Sequence, residues 1–129
     1  MQWEGWPLER WCFLFISIAY LMIGIQVTLY HYRQSFHNKA MWTPVILTPI
    51  IFVSGIVHVL NRTDASVTVF IWLMAIAIAN GLIGFYFHVR GMPKRVGGVT
   101  LRNFTIGPPF MLPLMLSALG AFGLIVIYH

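Results

Sequence analysis

The sequence predicts an all-α fold, a four-transmembrane-helix bundle forming a single domain over residues 1–129, and three observations carry that expectation. Hydrophobic residues make up 59% of the chain and charged ones only 9%, with a mean hydropathy of +0.80; in soluble domains about a quarter of residues are charged. The apolar residues fall into four runs of 19 to 21 residues. At 1.5 Å rise per residue, about 20 residues cross a hydrocarbon core of about 30 Å. Finally, Trp3, Trp6, Trp11, Tyr30, Tyr32, Trp42 and Tyr128 fall near the ends of these runs, where amphipathic rings prefer the membrane interface.

The first span, 11–30, has Gln26 as its only strongly polar side chain. The leading MQWEGWPLER carries two acids and one base, and no small-residue cleavage site follows the run. A signal peptide has a basic lead, so this span reads as a permanent helix. The second span, 42–60, carries His58. The third, 67–87, carries Asn80, and the fourth, 108–128, has no ionisable group. Amides at the depth of Gln26 and Asn80 are expected to be buried and to hydrogen-bond between helices. Pro44 and Pro108 open their helices, where a missing N–H is harmless, whereas Pro49 and Pro113 are expected more than a turn inside and should kink their helices. Such kinks would open room for a quinone, a lipid or another cofactor. Small residues at Ala77, Gly81 and Gly84, and at Ser117, Gly120, Ala121 and Gly123, should let the third and fourth helices approach closely. Met92-Pro93 and Gly97-Gly98 are expected to break any helix between these two spans.

Charge sets the topology. Four spans put the 31–41 and 89–107 loops on one face, here called side A, and both termini on the other. Side A receives Arg33, Lys39, Arg90, Lys94, Arg95 and Arg102; the opposite face has Arg10 and Arg62 together with all three acids, Glu4, Glu9 and Asp64. Short loops rich in Lys and Arg stay in the cytoplasm, so both termini should face outward. Lys94, Arg95 and Arg102, with no acid among them, should bind anionic lipid headgroups or an acidic partner subunit. No nucleic-acid partner is expected, and Gly97-Gly98 lacks the lysine and hydroxyl residue of a nucleotide-binding loop.

An offset of 57 residues superposes His31 on His88, Arg33 on Arg90 and Gly24 on Gly81, while the proline pairs coincide at an offset of 64. Two tandem helix pairs related by a parallel pseudo-two-fold axis would produce this pattern; chance recurrence of interfacial His, Arg and Pro would also. His31 and His88 end parallel helices and so lie at one depth. They are candidate ligands of a haem b iron, or contacts to a quinone, with Arg33 and Arg90 able to pair with propionates. The alternative is that each imidazole caps a helix C-terminus in the headgroup layer. His58, near the opposite face, is expected to snorkel or to hydrogen-bond at the interface and cannot share a metal with His88.

No catalytic residue set is present: the spans hold no paired carboxylates, and the chain has no Cys-x-x-Cys, HExxH or Ser-His-Asp pattern. No metal site is expected. The single Cys12 lies in an apolar run and precludes an internal disulfide. The function read from the residues is a non-catalytic membrane subunit that anchors or completes a larger complex, with a redox or electron-transfer complex expected. A haem- or quinone-binding electron carrier and a small oligomeric channel are the alternatives. The segments HYRQSFHNKAMWTPV and GGVTLRNFTIGPPFMLPL resemble those of small four-helix integral membrane proteins of bacteria. The resemblance covers the two side A loops and the helix starts after them. It implies location in a bacterial inner membrane and suggests no particular activity.

Overall fold

A computed structural model describes residues 2–33, 35–36, 39–96 and 111–129, the side chains of 91–96 excepted. The Lys94 and Arg95 side chains, Arg102, Pro108 and Gly97-Gly98 lie outside the described residues. Among the described residues four α-helices follow one another: α1 (Leu8–Arg33), α2 (Trp42–Leu60), α3 (Asp64–Val96) and α4 (Met111–Tyr128), with a short 3-10 turn at Lys39–Met41 before α2. The protein is all-α, and each of the four is long and apolar enough to cross a membrane.

Helix ends depart from the expected spans where solvent or headgroups can satisfy the backbone. α1 begins three residues before and ends three residues after the expected 11–30 run. Similarly, α3 does not stop at Met92-Pro93 but continues through both to Val96. Pro93 leaves only the Val89 carbonyl without its helical donor, beyond the apolar stretch and close to the helix end, where water or headgroups can replace that donor. Pro113 is the third described residue of α4. Pro49 remains within α2.

The link after α1 folds tightly. Phe36 N–H donates to His31 O at 3.0 Å and Ser35 N–H to Tyr32 O at 2.9 Å. Both Ser35 (φ 59°) and Phe36 (φ 44°) adopt left-handed backbone, which costs a non-glycine residue roughly 1–2 kcal/mol. Stacking of Phe36 on Trp42, 4.0 Å between centroids and 13° between planes, offsets part of that cost.

The closest packing is within the pairs α1/α2 and α3/α4; contacts of α2 with α3 and of α1 with α4 close the ring. Phe13, Ile16, Tyr20, Ile51, Phe70 and Met74 form the centre of the core. Approach within each pair depends on glycines that have no room for a Cβ. Gly24 faces Thr48, Gly55 faces Ser17, Gly81 faces Ser117 and the Pro113 carbonyl, and Gly120 faces the Met74 carbonyl and Ile78. Ala121, expected on this small face, is exposed instead. Polar side chains inside the bundle bond to a neighbouring helix or to their own. Tyr20 OH donates to Leu116 O at 2.8 Å across α1 and α4, and Ser117 Oγ to Ile78 O at 2.8 Å across α4 and α3. Ser17 and Thr48 bond back to the carbonyls of Phe13 and Pro44 four residues earlier.

Candidate functional site

At the end holding both termini, Asn61 N–H makes the last helical bond of α2, to Val57 O at 2.8 Å. The carbonyls after it lack helical partners by geometry, and distant groups supply them: the Trp3 indole N–H donates to His58 O at 2.8 Å, and Arg10 Nε–H donates to Val59 O at 3.0 Å. Three consecutive carbonyls are thereby satisfied. The Trp3 ring lies between two guanidinium groups, Arg62 at 4.7 Å and Arg10 at 5.8 Å, while Arg10 lies 3.9 Å from the Trp6 ring. Gln2 bonds to the Asn61 side chain. Glu9 joins Arg62 at 3.3 Å and His129 at 3.8 Å, so the start of α1, the α2–α3 link and the C-terminal residue meet at one end.

His58 lies beneath this lid. It is 1% exposed and therefore does not snorkel. Phe13 and Trp3 meet its ring edge-on at 4.7 and 5.6 Å, and Phe70 stacks at 5.6 Å. Its Nδ1 lies 2.9 Å from Ser66 Oγ. Ser66 and Thr63 form a reciprocal cap on α3: Thr63 N–H donates to Ser66 Oγ at 2.9 Å and Ser66 N–H to Thr63 Oγ1 at 3.0 Å. Ser66 Oγ–H donates to Thr63 O at 2.9 Å, which uses its one proton. Nδ1 is therefore the protonated nitrogen of His58 and donates to Ser66, an assignment made from the bonding network.

On side A, His31 closes the α1–α2 hairpin. Its Nδ1 lies 2.7 Å from Met41 O, and a carbonyl can only accept, so Nδ1 is the donor. Phe36 meets the same ring edge-on at 6.1 Å. His88 is at the matching end of α3, the helix diagonal to α1, and is half-buried with contacts of its own. Arg33 is exposed. Arg90, also exposed, lies over the Tyr86 ring at 6.0 Å and donates to Tyr86 OH at 3.4 Å. Asn80 on α3 donates from Nδ2 to Thr43 Oγ1 on α2 at 2.9 Å.

Gln26 departs from expectation. It is exposed on the outer surface of α1 and makes no hydrogen bond among the described residues. Beside Pro49, an apolar groove of about 270 Å³ runs between α1 and α2, lined by Leu21, Gly24, Ile25, Thr28, Val45 and Thr48 among others. The described residues include no group of three or more His, Cys, Asp or Glu that could hold a metal ion.

These features define a class: an all-α chain whose four apolar helices fit an integral membrane protein. No family model, curated protein or solved structure matches the chain.

Proposed function

We propose that this chain is a non-catalytic integral membrane subunit that anchors or completes a larger membrane complex, meeting its partners through its outer surfaces and the bases of side A. One observation supports the reading above others: the polar groups inside the bundle are engaged by the fold itself. Tyr20 and Ser117 bond across helices, Ser17 and Thr48 to carbonyls of their own helices, and His58 to the Ser66 hydroxyl, so each has a structural partner. A redox or electron-transfer complex is the partner we favour. The orientation of His31 supports a second reading, in which His31 and His88 hold a haem b. Donation from Nδ1 to a backbone carbonyl fixes the orientation and tautomer of the ring, as the outer partner of a metal-ligating histidine does.

Purification of the full chain from its native membranes tests both readings at once. A companion polypeptide at fixed stoichiometry is expected, lost when Lys94 and Arg95 are replaced by glutamate. A chain that purifies without any other polypeptide would end the subunit reading. A Soret band that disappears in His88→Ala would instead establish the haem-binding reading.

We also propose that the two helix pairs arose as a tandem repeat in a bacterial inner membrane, with side A in the cytoplasm. Phe13 and Phe70, which coincide at the 57-residue offset, meet each other edge-on at 5.1 Å, as equivalent residues beside a two-fold axis do. Ser17 and Met74 share that offset, and each faces a glycine of the following helix, Gly55 and Gly120. For the orientation, a cysteine at position 94 in a Cys12→Ala background should escape an impermeant thiol reagent in intact cells and react after lysis. Labelling in intact cells would reverse the assignment.

A further inference from the structure

We infer that the outer face of α1 is a dimer interface and that its occupant is a second copy of this chain, packed in parallel about a two-fold axis along the membrane normal. The inference begins with Gln26. A primary amide offers two donors and an accepting carbonyl, and one left in hydrocarbon without partners costs free energy. Gln26 lies four residues, about 6 Å along the helix, inside the level of Tyr30, yet it faces outward without a hydrogen bond among the described residues. Snorkelling to side A is disfavoured. Helical Cα–Cβ bonds tilt toward the N-terminus, and α1 runs toward side A, so this side chain leans back toward the bilayer centre.

The residues around Gln26 indicate what covers it. Cys12, Phe15, Ala19, Met22, Gln26 and Leu29 recur at spacings of three and four, the heptad repeat of a left-handed two-helix seam. All six are exposed or half-exposed in the single chain, with Phe15 at 66%, Met22 at 64% and Leu29 at 58%. Gln26, Ala19 and Cys12 take the a positions and Phe15, Met22 and Leu29 the d positions. In this arrangement a single polar a residue fixes register and a parallel pair. The seam carries no charge within the span, so two copies do not repel. Membrane insertion gives every copy the same orientation, which puts the two Gln26 amides at one depth. Each amide can then donate to the carbonyl of the other across the axis, as a self-complementary two-fold contact requires. A different polypeptide would need a matching amide at this depth, whereas a second copy brings one necessarily. The interface does not depend on whether another subunit joins at side A.

Cys12 provides a test without substitution. As the only cysteine in the chain and at an a position two heptads from Gln26, it should meet its copy in the dimer. Mild oxidation of the full chain in phosphatidylcholine vesicles is expected to give a disulfide-linked species of twice the chain mass. In a Cys12→Ala background, Ala19→Cys, at the a position between Cys12 and Gln26, should cross-link equally well, and Ile46→Cys on the outer face of α2 should not. Association followed by energy transfer between labelled copies should weaken about three- to thirty-fold in Gln26→Leu, the range for one or two amide bonds between membrane helices. Absence of the dimer from both Cys12 and Ala19→Cys overturns the proposal. So does energy transfer unchanged in Gln26→Leu, or a cross-link in native membranes to a different polypeptide in place of a second copy; the last would leave the subunit reading intact.

Discussion

Replacing Gly81 with valine is expected to separate α3 from α4 and to cost about 3 kcal/mol, the upper part of the usual range for forcing carbon into a packed interior. The argument rests on what the new Cβ would meet. Its three nearest neighbours are the Ser117 hydroxyl, the Pro113 carbonyl oxygen and the Ser117 backbone nitrogen. Two of these are backbone atoms and cannot rotate away. Relief therefore requires moving α4 as a whole, which would also break the Ser117–Ile78 bond. In a membrane this loss has little compensation, because helices associate through close contact and interhelical hydrogen bonds and not through burial from water. Gly84 provides the comparison on the same helix. A Cβ there would meet only the Pro113 ring, at 3.4 Å and beyond, so Gly84→Ala should change stability by less than about 1 kcal/mol. Thermal unfolding in a mild detergent measures both. Equal behaviour of the two variants would mean that α3 and α4 do not meet at Gly81.

The contrast between those glycines marks the boundary of what the sequence discloses. The number and type of helices follow from four apolar runs, each about as long as a helix needs to cross a hydrocarbon core. Which side of each helix faces inward does not follow. Soluble helices reveal their buried side through polar contrast, but here both sides are apolar and burial is decided by shape. The clustered small residues of α3 and α4 reveal that contact, at Gly81 and Gly120. The contact between α1 and α2 depends on isolated glycines, Gly24 and Gly55, facing Thr48 and Ser17, and no cluster marks it. Gln26 illustrates the same difficulty: its polarity suggests an inward position, yet the stripe that packs is the one holding Ile16, Tyr20 and Ile23. The lid over His58 is less legible still. Trp3 reads as an ordinary interfacial ring, and its bond to His58 O joins residues 55 apart in sequence, a partnership that no local pattern encodes.

Truncation of His58 to alanine is expected to cost about 3 kcal/mol, near the lower end of the range for removing a buried ring. Loss of hydrogen bonding contributes little. Ser66 keeps its bonds to Thr63, and only the Nδ1 contact disappears. Packing contributes more, since Phe13, Phe70 and Trp3 all rest against the imidazole and would line a void. Trp3 would be most affected, because its ring is held between the His58 imidazole, the His58 carbonyl and the two arginines. His58→Phe keeps a ring in the same place and should recover most of the stability, at the expense of one hydrogen bond worth about 1 kcal/mol. Two readouts follow the prediction. Unfolding midpoints should fall in the order wild type, His58→Phe, His58→Ala, and trypsin should cut after Arg10 sooner in the alanine variant as the lid loosens. If the phenylalanine variant is as unstable as the alanine one, the bond to Ser66 and not the aromatic cluster holds the lid in place. Wild-type stability in His58→Ala would show that the lid does not depend on His58 at all.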